Sequence, residues 1–182
     1  MSTIKNYQTI RATFNKDTIV VYQAYNDKIA DEAVELQKFG QQFSFKRMTW
    51  IKPSFLWLME RSNWANKPNQ NRILEIHIKR IFWDKCLELA VDTDISKSEG
   101  SVKNADILVQ WDPERTLRGA KLGIRSIQIG ISRKMIEEYN ENITKIVDIT
   151  EKVKKMYNLN SQGKFDKSNK LLPKVKEYRT EV

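Results

Sequence analysis

The sequence predicts an α+β fold, a single domain with a mostly antiparallel sheet flanked by helices. Its length of 182 residues and its hydrophobic content of 40% suit one globular domain with a sizeable core. Strand and helix patterns are interspersed without strict β-α-β alternation, and the first two strand patterns lie close enough to form a hairpin. These observations favour antiparallel pairing over a parallel sheet.

The hairpin is predicted near the N-terminus. Residues 9–14 and 18–24 have strand patterns, and residues 15–17 supply Asn, Lys and Asp for the turn between them. A helix is expected to begin at Asp27, because apolar residues recur from there at helical spacing on one face. Gly40 is its predicted end.

A second helix is predicted over residues 53–62. The preceding segment, residues 43–51, is expected to be extended. Pro53 suits a first helical turn because its missing N–H would be unpaired there anyway. The helix is apolar on nearly every side, which is typical of a helix buried on most of its surface. A polar loop is predicted over residues 63–71.

The middle of the chain has the clearest strand pattern. Over residues 72–80, Leu and Ile alternate with Glu, His and Lys. A helix is predicted over residues 81–90, and the Ser, Asp, Lys and Gly content of residues 92–104 predicts a loop. The next predicted strand, residues 107–111, ends at the turn-forming Asp112-Pro113.

The last predicted strand covers residues 125–131, with isoleucines on one face. Ser132 is expected to cap a short helix that follows. Asp148 and Glu151 have capping-box spacing, which predicts a further helix to about Tyr157.

The C-terminal segment differs in composition from the rest of the chain. Residues 1–157 are predicted to form the α+β core domain, and residues 158–182 a basic C-terminal extension in which the hydrophobic pattern decays. More than half of the net charge of +9 lies in residues 151–182. Positive charge attracts polyanions, so nucleic acid is one partner to consider.

Cysteine and histidine are scarce. Cys86 is expected to be a buried thiol, and a single Cys with a single His, His77, excludes a Cys-based zinc cage and a multi-histidine metal site. The N-terminus lacks the apolar core of a signal peptide, and the longest apolar run, residues 51–59, is too short to cross a bilayer. We therefore expect a cytoplasmic protein with no membrane partner.

The most informative segment is residues 47–64, which carries three of the five tryptophans, at positions 50, 57 and 64. Cations and small hydroxyls lie between them. A Trp ring needs a large pocket, and its N–H needs a partner when it is buried. The segment therefore forms either a dense part of the core or the wall of a binding cleft that offers rings for stacking and cations for an anion.

Five segments of the chain resemble one known family. They are Ile10-Arg-Ala12, Val21-Tyr-Gln-Ala-Tyr25, the block from Arg47 to Trp64, Gln110-Trp-Asp-Pro-Glu-Arg115 and Arg125-Ser-Ile-Gln-Ile-Gly130. Over roughly residues 8–155 they resemble a bacterial and fungal family of uncharacterised domains, catalogued as a domain of unknown function. The specific part is Arg47-Met-Thr-Trp-Ile-Lys-Pro-Ser-Phe-Leu-Trp57. The resemblance implies a single domain and carries no mechanism.

The preferred function is binding of a phosphate-bearing ligand, a nucleotide or nucleic acid, in a cleft lined by residues 47–64. A helix that begins at Pro53-Ser54 presents free N–H groups, which favour anions. We expect Arg47 and Lys52 to lie outside the packed core, so that replacing either by Ala changes stability by less than about 1 kcal/mol. The predicted ligand-binding residues are Arg11, Arg47, Thr49, Trp50, Lys52, Ser54 and Gln128.

Two alternatives remain open. The first is an NAD-dependent enzyme that resembles ADP-ribosyltransferases, which are compact α+β proteins that hold NAD between antiparallel strands. They carry an Arg or His on an early strand and usually a Glu on a late one. Arg11 or Arg47 matches the first position, whereas the late strand offers Gln128 and Glu75 lies on an earlier strand. The second alternative is a non-catalytic basic module that binds RNA or an acidic protein.

Several enzyme classes are disfavoured by missing motifs. The sequence has no Walker-type Gly-Lys-Ser/Thr, no Gly-x-Ser-x-Gly and no Gly-x-Gly-x-x-Gly. P-loop hydrolysis and hydride transfer on a Rossmann fold are therefore set aside, while enzymatic activity, cofactor and oligomeric state stay open.

Overall fold

The structure, a computed structural model, describes residues 8–94 and 102–180. Most of the predicted loop over residues 92–104 lies outside these ranges. The strands are β1 (Arg11–Ala12), β2 (Thr18–Tyr25), β3 (Thr49–Ile51), β4 (Arg72–Lys79), β5 (Ala90–Asp92), β6 (Ile107–Arg115), β7 (Lys121–Ile131), β8 (Ile143–Asp148) and β9 (Lys176–Glu177). The helices are α1 (Asp27–Leu36), α2 (Phe55–Ser62), α3 (Arg80–Leu89), α4 (Ile136–Glu141), α5 (Thr150–Ser161) and α6 (Phe165–Asn169).

Antiparallel sheets form the framework, and the predicted α+β class is confirmed. One sheet has the strand order β2-β4-β8, and another has the order β3-β7-β6-β5, in which β5 and β6 are parallel. The short strands β1 and β9 pair with each other. The two larger sheets meet where the Tyr22 N–H of β2 donates to the carbonyl of Lys52, directly after β3, at 2.8 Å.

The apolar faces of β4 and β7 form the centre of the larger core cluster. The predicted alternation along both strands is confirmed, because their apolar side chains are almost completely buried and their polar neighbours are not on that face. The most deeply buried of these residues are Leu74, Ile76, Ile78, Ile129 and Ile131. Burial therefore fixes which face of each strand is left for polar side chains.

Helix α2 belongs to a second core cluster, as its uniform apolarity predicts. Phe55, Leu58 and Met59 are all at least nine-tenths buried. The helix begins at Phe55 rather than at Pro53, because Ser54 is the N-cap and its hydroxyl accepts the Trp57 N–H.

The predicted N-terminal hairpin is present only at its turn. The Asn15 side chain accepts the N–H groups of Asp17 and Thr18, and Phe14 bridges Ile19. Further back the prediction is wrong, because Arg11–Ala12 pairs with β9 instead of β2. The competing partner comes from the opposite end of the chain, where no strand pattern is evident.

Other boundaries also differ from the sequence predictions. Residues 43–51 are not extended throughout, since only residues 49–51 form a strand. β6 continues through Asp112 and Pro113 to Arg115, because a register shift after Pro113 accommodates the residue that lacks an N–H. β5 and β8 are not predicted by the sequence, since both are short and lack a long alternating pattern.

Two helix starts are also shifted. Ser132 makes a turn, and α4 begins only at Ile136. Asp148 does accept the Thr150 N–H at 2.8 Å, but α5 begins at Thr150, with Ile149 as its N-cap. Sequence-based helix boundaries are commonly uncertain by a residue or two.

The C-terminal segment packs on the rest of the fold. The predicted boundary after residue 157 falls inside α5, which continues to Ser161. Further on, Tyr178 is only 4% exposed. Its hydroxyl donates to Asp84 at 2.6 Å and accepts from Arg80 at 3.2 Å.

Candidate functional site

A cavity of about 630 Å³ opens beside the junction of the two larger sheets. It is bounded by β2, by the segment that leads into and out of β3, by α2, and by the polar face of β6 and β7. The cavity is lined by Tyr22, Gln23, Ala24, Tyr25, Ile29, Phe43, Ser44, Arg47, Met48, Thr49, Trp50, Ile51, Lys52, Trp57, Leu58, Arg61, Gln70, Gln110, Asp112 and Gln128.

Lys52 lies at the inner wall of this cavity. It directly follows β3, and only 2% of the residue is exposed. Its Nζ lies 3.4 Å from Asp112 Oδ2 and 2.7 Å from the centre of the Trp57 ring. The expectation that Lys52 lies outside the packed core is therefore wrong, because its amino group lies against the Trp57 ring and the Asp112 carboxylate.

Burial changes the acid–base chemistry of this lysine. Loss of water around the amine lowers the pKa of Lys52 from 10.5 to about 6, although Asp112 and Glu114 oppose the shift. The positive charge of Arg61 contributes a little to the lowering. The lowered pKa favours the neutral amine of Lys52, which can still donate a hydrogen bond to Asp112 across 3.4 Å.

Asp112 is held in place by two glutamines. Gln128 Nε2 donates to Oδ2 at 2.8 Å, and Gln110 Nε2 donates to Oδ1 at 3.2 Å. The two glutamines are directly opposite each other in the β6–β7 ladder. Lys52, Asp112, Gln110 and Gln128, named here the inner cluster, thus join side chains from three strands or their ends.

Trp50 packs flat on the neighbouring strand. It pairs with Gly130 of β7, and a Cβ at position 130 would lie 2.8–2.9 Å from three carbons of the indole ring. Glycine therefore permits the close approach of the ring to the backbone. One face of Trp50 covers Gly130, while the residue also lines the cavity.

A second polar network fixes the β2 side of the cavity. Gln23 Nε2 lies within hydrogen-bond distance of the Thr49 hydroxyl, at 2.9 Å, and of the Trp50 carbonyl, at 3.0 Å. The buried Tyr139 hydroxyl donates to Gln23 Oε1 at 2.8 Å. Burial raises the pKa of Tyr25, which contacts the same network, to about 12. These groups are neutral donors and acceptors at physiological pH.

Two arginines stand at the cavity rim. Arg47 precedes β3, and Arg61 lies on the last turn of α2. Both are solvent-exposed, and neither forms an ion pair with a carboxylate among residues 8–94 and 102–180. The rim therefore carries two positive charges that are available to an anion.

Ser54 and Arg11, two of the predicted ligand residues, do not line the cavity. Ser54 is 6% exposed, and its hydroxyl donates to Glu114 Oε1 at 2.7 Å while capping α2. Arg11 is exposed on β1, opposite Glu177. The structure brings the other five predicted residues to one cavity: Arg47, Thr49, Trp50, Lys52 and Gln128.

The predicted ligand-binding residues do not include Asp112, Gln110 and Gln23. Gln110 and Asp112 fall at a predicted strand end, where sites often form on loops, but ending the strand at residue 111 also makes Asp112-Pro113 an ordinary turn. Positions 110 and 112 share one face of a strand that continues. Gln23 had a weaker signal, a lone polar residue within an apolar strand. A polar residue at such a position requires a buried partner.

The thiol and the histidine lie outside the cavity. Cys86 is fully buried, and burial raises its pKa to about 12, so it is a protonated thiol. His77 Nε2 lies 2.9 Å from Glu75. Within the described ranges no three His, Cys, Asp or Glu side chains are grouped to bind a metal ion.

No helix among the described residues has the length and apolarity needed to cross a membrane. Comparison with known families gives a match to a domain of unknown function (DUF4291) over residues 9–178. The chain belongs to this family. No curated protein matches the chain.

Proposed function

We propose that this DUF4291 domain binds a phosphate-bearing ligand, a nucleotide, in the cavity between its two larger sheets. The observation that carries the proposal is the pair of rim arginines, Arg47 and Arg61. Both lack an acidic partner in the described part of the chain, and both line a cavity whose walls contain aromatic rings.

The rim matches the chemistry of phosphate. A guanidinium group is always charged and presents a planar fork of N–H donors that fits two phosphate oxygens. An exposed arginine also loses less hydration on binding an anion than a strongly hydrated ammonium does. Arg47 and Arg61 can therefore contact an anion without first breaking an internal ion pair.

The walls match the rest of a nucleotide. Tyr22, Tyr25, Trp50 and Trp57 line the cavity, and aromatic faces bind the π-face of a base. The glutamines supply donors and acceptors for its edges. A volume of about 630 Å³ falls within the range of small-molecule sites, and its concave shape favours a nucleotide over duplex nucleic acid.

A thermal-shift panel tests the proposal. ADP, NAD and a single-stranded oligonucleotide are each titrated at about 50 and about 200 mM salt. A cavity ligand at free concentration L stabilises the folded protein by RT ln(1 + L/Kd) and should still raise the melting temperature at the higher salt concentration, whereas nonspecific attraction of an oligonucleotide to a basic surface fades with salt.

A double variant localises the effect. Arg47→Gln/Arg61→Gln should remove most of the nucleotide response. Arg133→Gln, at an exposed arginine outside the cavity, is the matched control and should keep it. If no nucleotide shifts the wild-type melting temperature, or if the double variant responds like wild type, the proposal is wrong.

One observation also favours the ADP-ribosyltransferase-like alternative. The cavity contains a carboxylate on a late strand, Asp112 of β6, together with Arg47 near an early one. Release of nicotinamide from NAD by the wild-type protein, and its loss in Asp112→Asn, would support this activity. A cytoplasmic location is part of the same proposal, since nucleotides are abundant there.

A further inference from the structure

The inner cluster contains more than phosphate binding requires. Arg47 and Arg61 at the rim can bind an anion, yet a lysine is also buried at the inner wall of the same cavity. Burying an amine is unfavourable unless it is paired or loses its charge. Lys52 therefore needs an explanation that the rim arginines do not supply.

The surroundings of Lys52 resemble those of a nucleophilic lysine. Its Nζ lies 2.7 Å from the centre of the Trp57 ring and 3.4 Å from Asp112 Oδ2. Glu114 and Arg61 are the other charged groups that influence it. A lysine becomes nucleophilic when an apolar wall and a neighbouring cation disfavour its protonated form. The lowered pKa of Lys52 agrees with this geometry.

We propose that Lys52 forms an imine with the aldehyde or ketone carbon of a phosphate-bearing ligand. The inference rests on the proposed phosphate site and specifies the class of ligand. The rim arginines would bind the phosphate, and the carbonyl group would reach the amine at the inner wall.

The reaction balances with one proton taken from solvent. The neutral Nζ adds its lone pair to the carbonyl carbon and forms a C–N bond, while the carbonyl oxygen takes that proton from solvent. The resulting carbinolamine loses water as its C–O bond breaks, which leaves a protonated imine. Asp112 lies close enough to Nζ to take the proton released on addition and to return it to the departing hydroxyl group.

The same residues stabilise the product. A protonated imine is a cation at the position that Nζ occupies, so it lies over the Trp57 ring and beside the Asp112 carboxylate. Because Gln110 and Gln128 already orient that carboxylate, no rearrangement is needed as the charge forms.

Reductive trapping tests the inference in the full-length protein. Pyridoxal 5′-phosphate, which carries an aldehyde and a phosphate, is added at pH 7. Borohydride then reduces any imine to a stable amine. Trypsin cleavage after Arg47 and Arg61 gives the peptide 48–61, in which Lys52 is the single lysine. We expect this peptide to be labelled at least tenfold faster than peptides that carry the exposed Lys145 or Lys155. Pyridoxal, which lacks the phosphate, should label it at least tenfold more slowly.

The controls separate the inference from the proposed function. Excess ADP should protect Lys52 and leave the exposed lysines labelled. If ADP raises the melting temperature but pyridoxal 5′-phosphate leaves no label on peptide 48–61, the imine proposal is wrong and phosphate binding still stands. Equal labelling of Lys52 by pyridoxal and its phosphate would overturn the assignment of a phosphate-bearing carbonyl ligand. The labelling uses wild-type protein, so it does not depend on a Lys52 variant that folds.

Discussion

Residues 47–52 and helix α2 are adjacent in the Trp-rich segment and differ in what they bury. Helix α2 buries Phe55 and Leu58 in a core cluster, and the hydroxyl of its cap, Ser54, accepts from the helix and donates to Glu114 of β6. In residues 47–52 the buried side chains include Thr49 and Lys52, whose partners come from distant strands. Ser54 also has a distant partner, so the comparison teaches that the cavity distinguishes the candidate site from structural core: Thr49 and Lys52 line it, whereas Ser54 does not.

The largest expected change in the free energy of unfolding comes from a substitution in α2. Phe55→Ala should lower the free energy of unfolding by about 3–5 kcal/mol, because the ring is 4% exposed and packs edge-on against Tyr22 and Trp64. Chemical denaturation measures the change. Glu60→Gln, at an exposed position of the same helix, should cost less than about 1 kcal/mol. Similar small losses for both variants would mean that α2 is not a core helix.

Lys52 should make stability depend on pH. Its folded pKa of about 6 lies below its ordinary value of 10.5, so between these values the unfolded chain binds a proton that the folded protein lacks. Stability therefore rises with pH in this window. From pH 7 to 9, wild type should gain up to about 3 kcal/mol relative to Lys52→Met. Urea denaturation at both pH values measures the gain.

The comparison of wild type with Lys52→Met removes the titration of other groups. An unchanged stability difference from pH 7 to 9 would show that Lys52 keeps its proton and that the ion pair with Asp112 prevails over burial.

Gly130 provides a smaller test of the cavity wall. Gly130→Ala should destabilise the protein by about 1–3 kcal/mol, since the new methyl group meets the Trp50 ring at less than 3 Å. The displaced ring should also weaken ligand binding. Gly123→Ala is the matched control on the same strand, because a Cβ there meets nothing within 4 Å. Calorimetric melting of the two variants distinguishes ring displacement from a general effect of replacing glycine in β7.

The sequence predicted the parts of the fold that depend on local patterns. The alternation in β4 and the uniform apolarity of α2 were sufficient to predict these two elements. Burial of one strand face, or of most of a helix, requires apolar residues at fixed spacings in the sequence. The pairing of β1 with β9 left no such pattern. It joins the two ends of the chain, and its short strands depend on Tyr178 packing against distant residues.

The candidate site was predicted in part, because Gln128 of β7 and residues of the 47–52 segment were expected to bind ligand and Asp112 between them was not. The 47–52 segment identified Arg47, Trp50 and Lys52 because aromatic and cationic residues stand close in sequence. Asp112, the partner of Lys52, lies 60 positions further on, in a strand that the sequence ended too early. Its contact with Lys52 depends on which sheets meet, and residue spacing does not encode that.

Arg47 and Arg61 should have the smallest effect on stability. Both are exposed and free of acidic partners in the described ranges, so Arg47→Gln/Arg61→Gln should change the free energy of unfolding by less than about 0.5 kcal/mol. Denaturation in urea measures this change. A large loss would place the arginines in the framework rather than at a binding rim.

The central claim is that the cavity binds phosphate through its rim, and isothermal titration of ADP and adenosine into wild type and Arg47→Gln/Arg61→Gln tests it most directly. Wild type should bind ADP at least tenfold more tightly than adenosine, and the double variant should bind the two alike, because only the phosphates contact the arginines. Equal binding of ADP and adenosine by wild type, or an unchanged preference in the double variant, would contradict the claim.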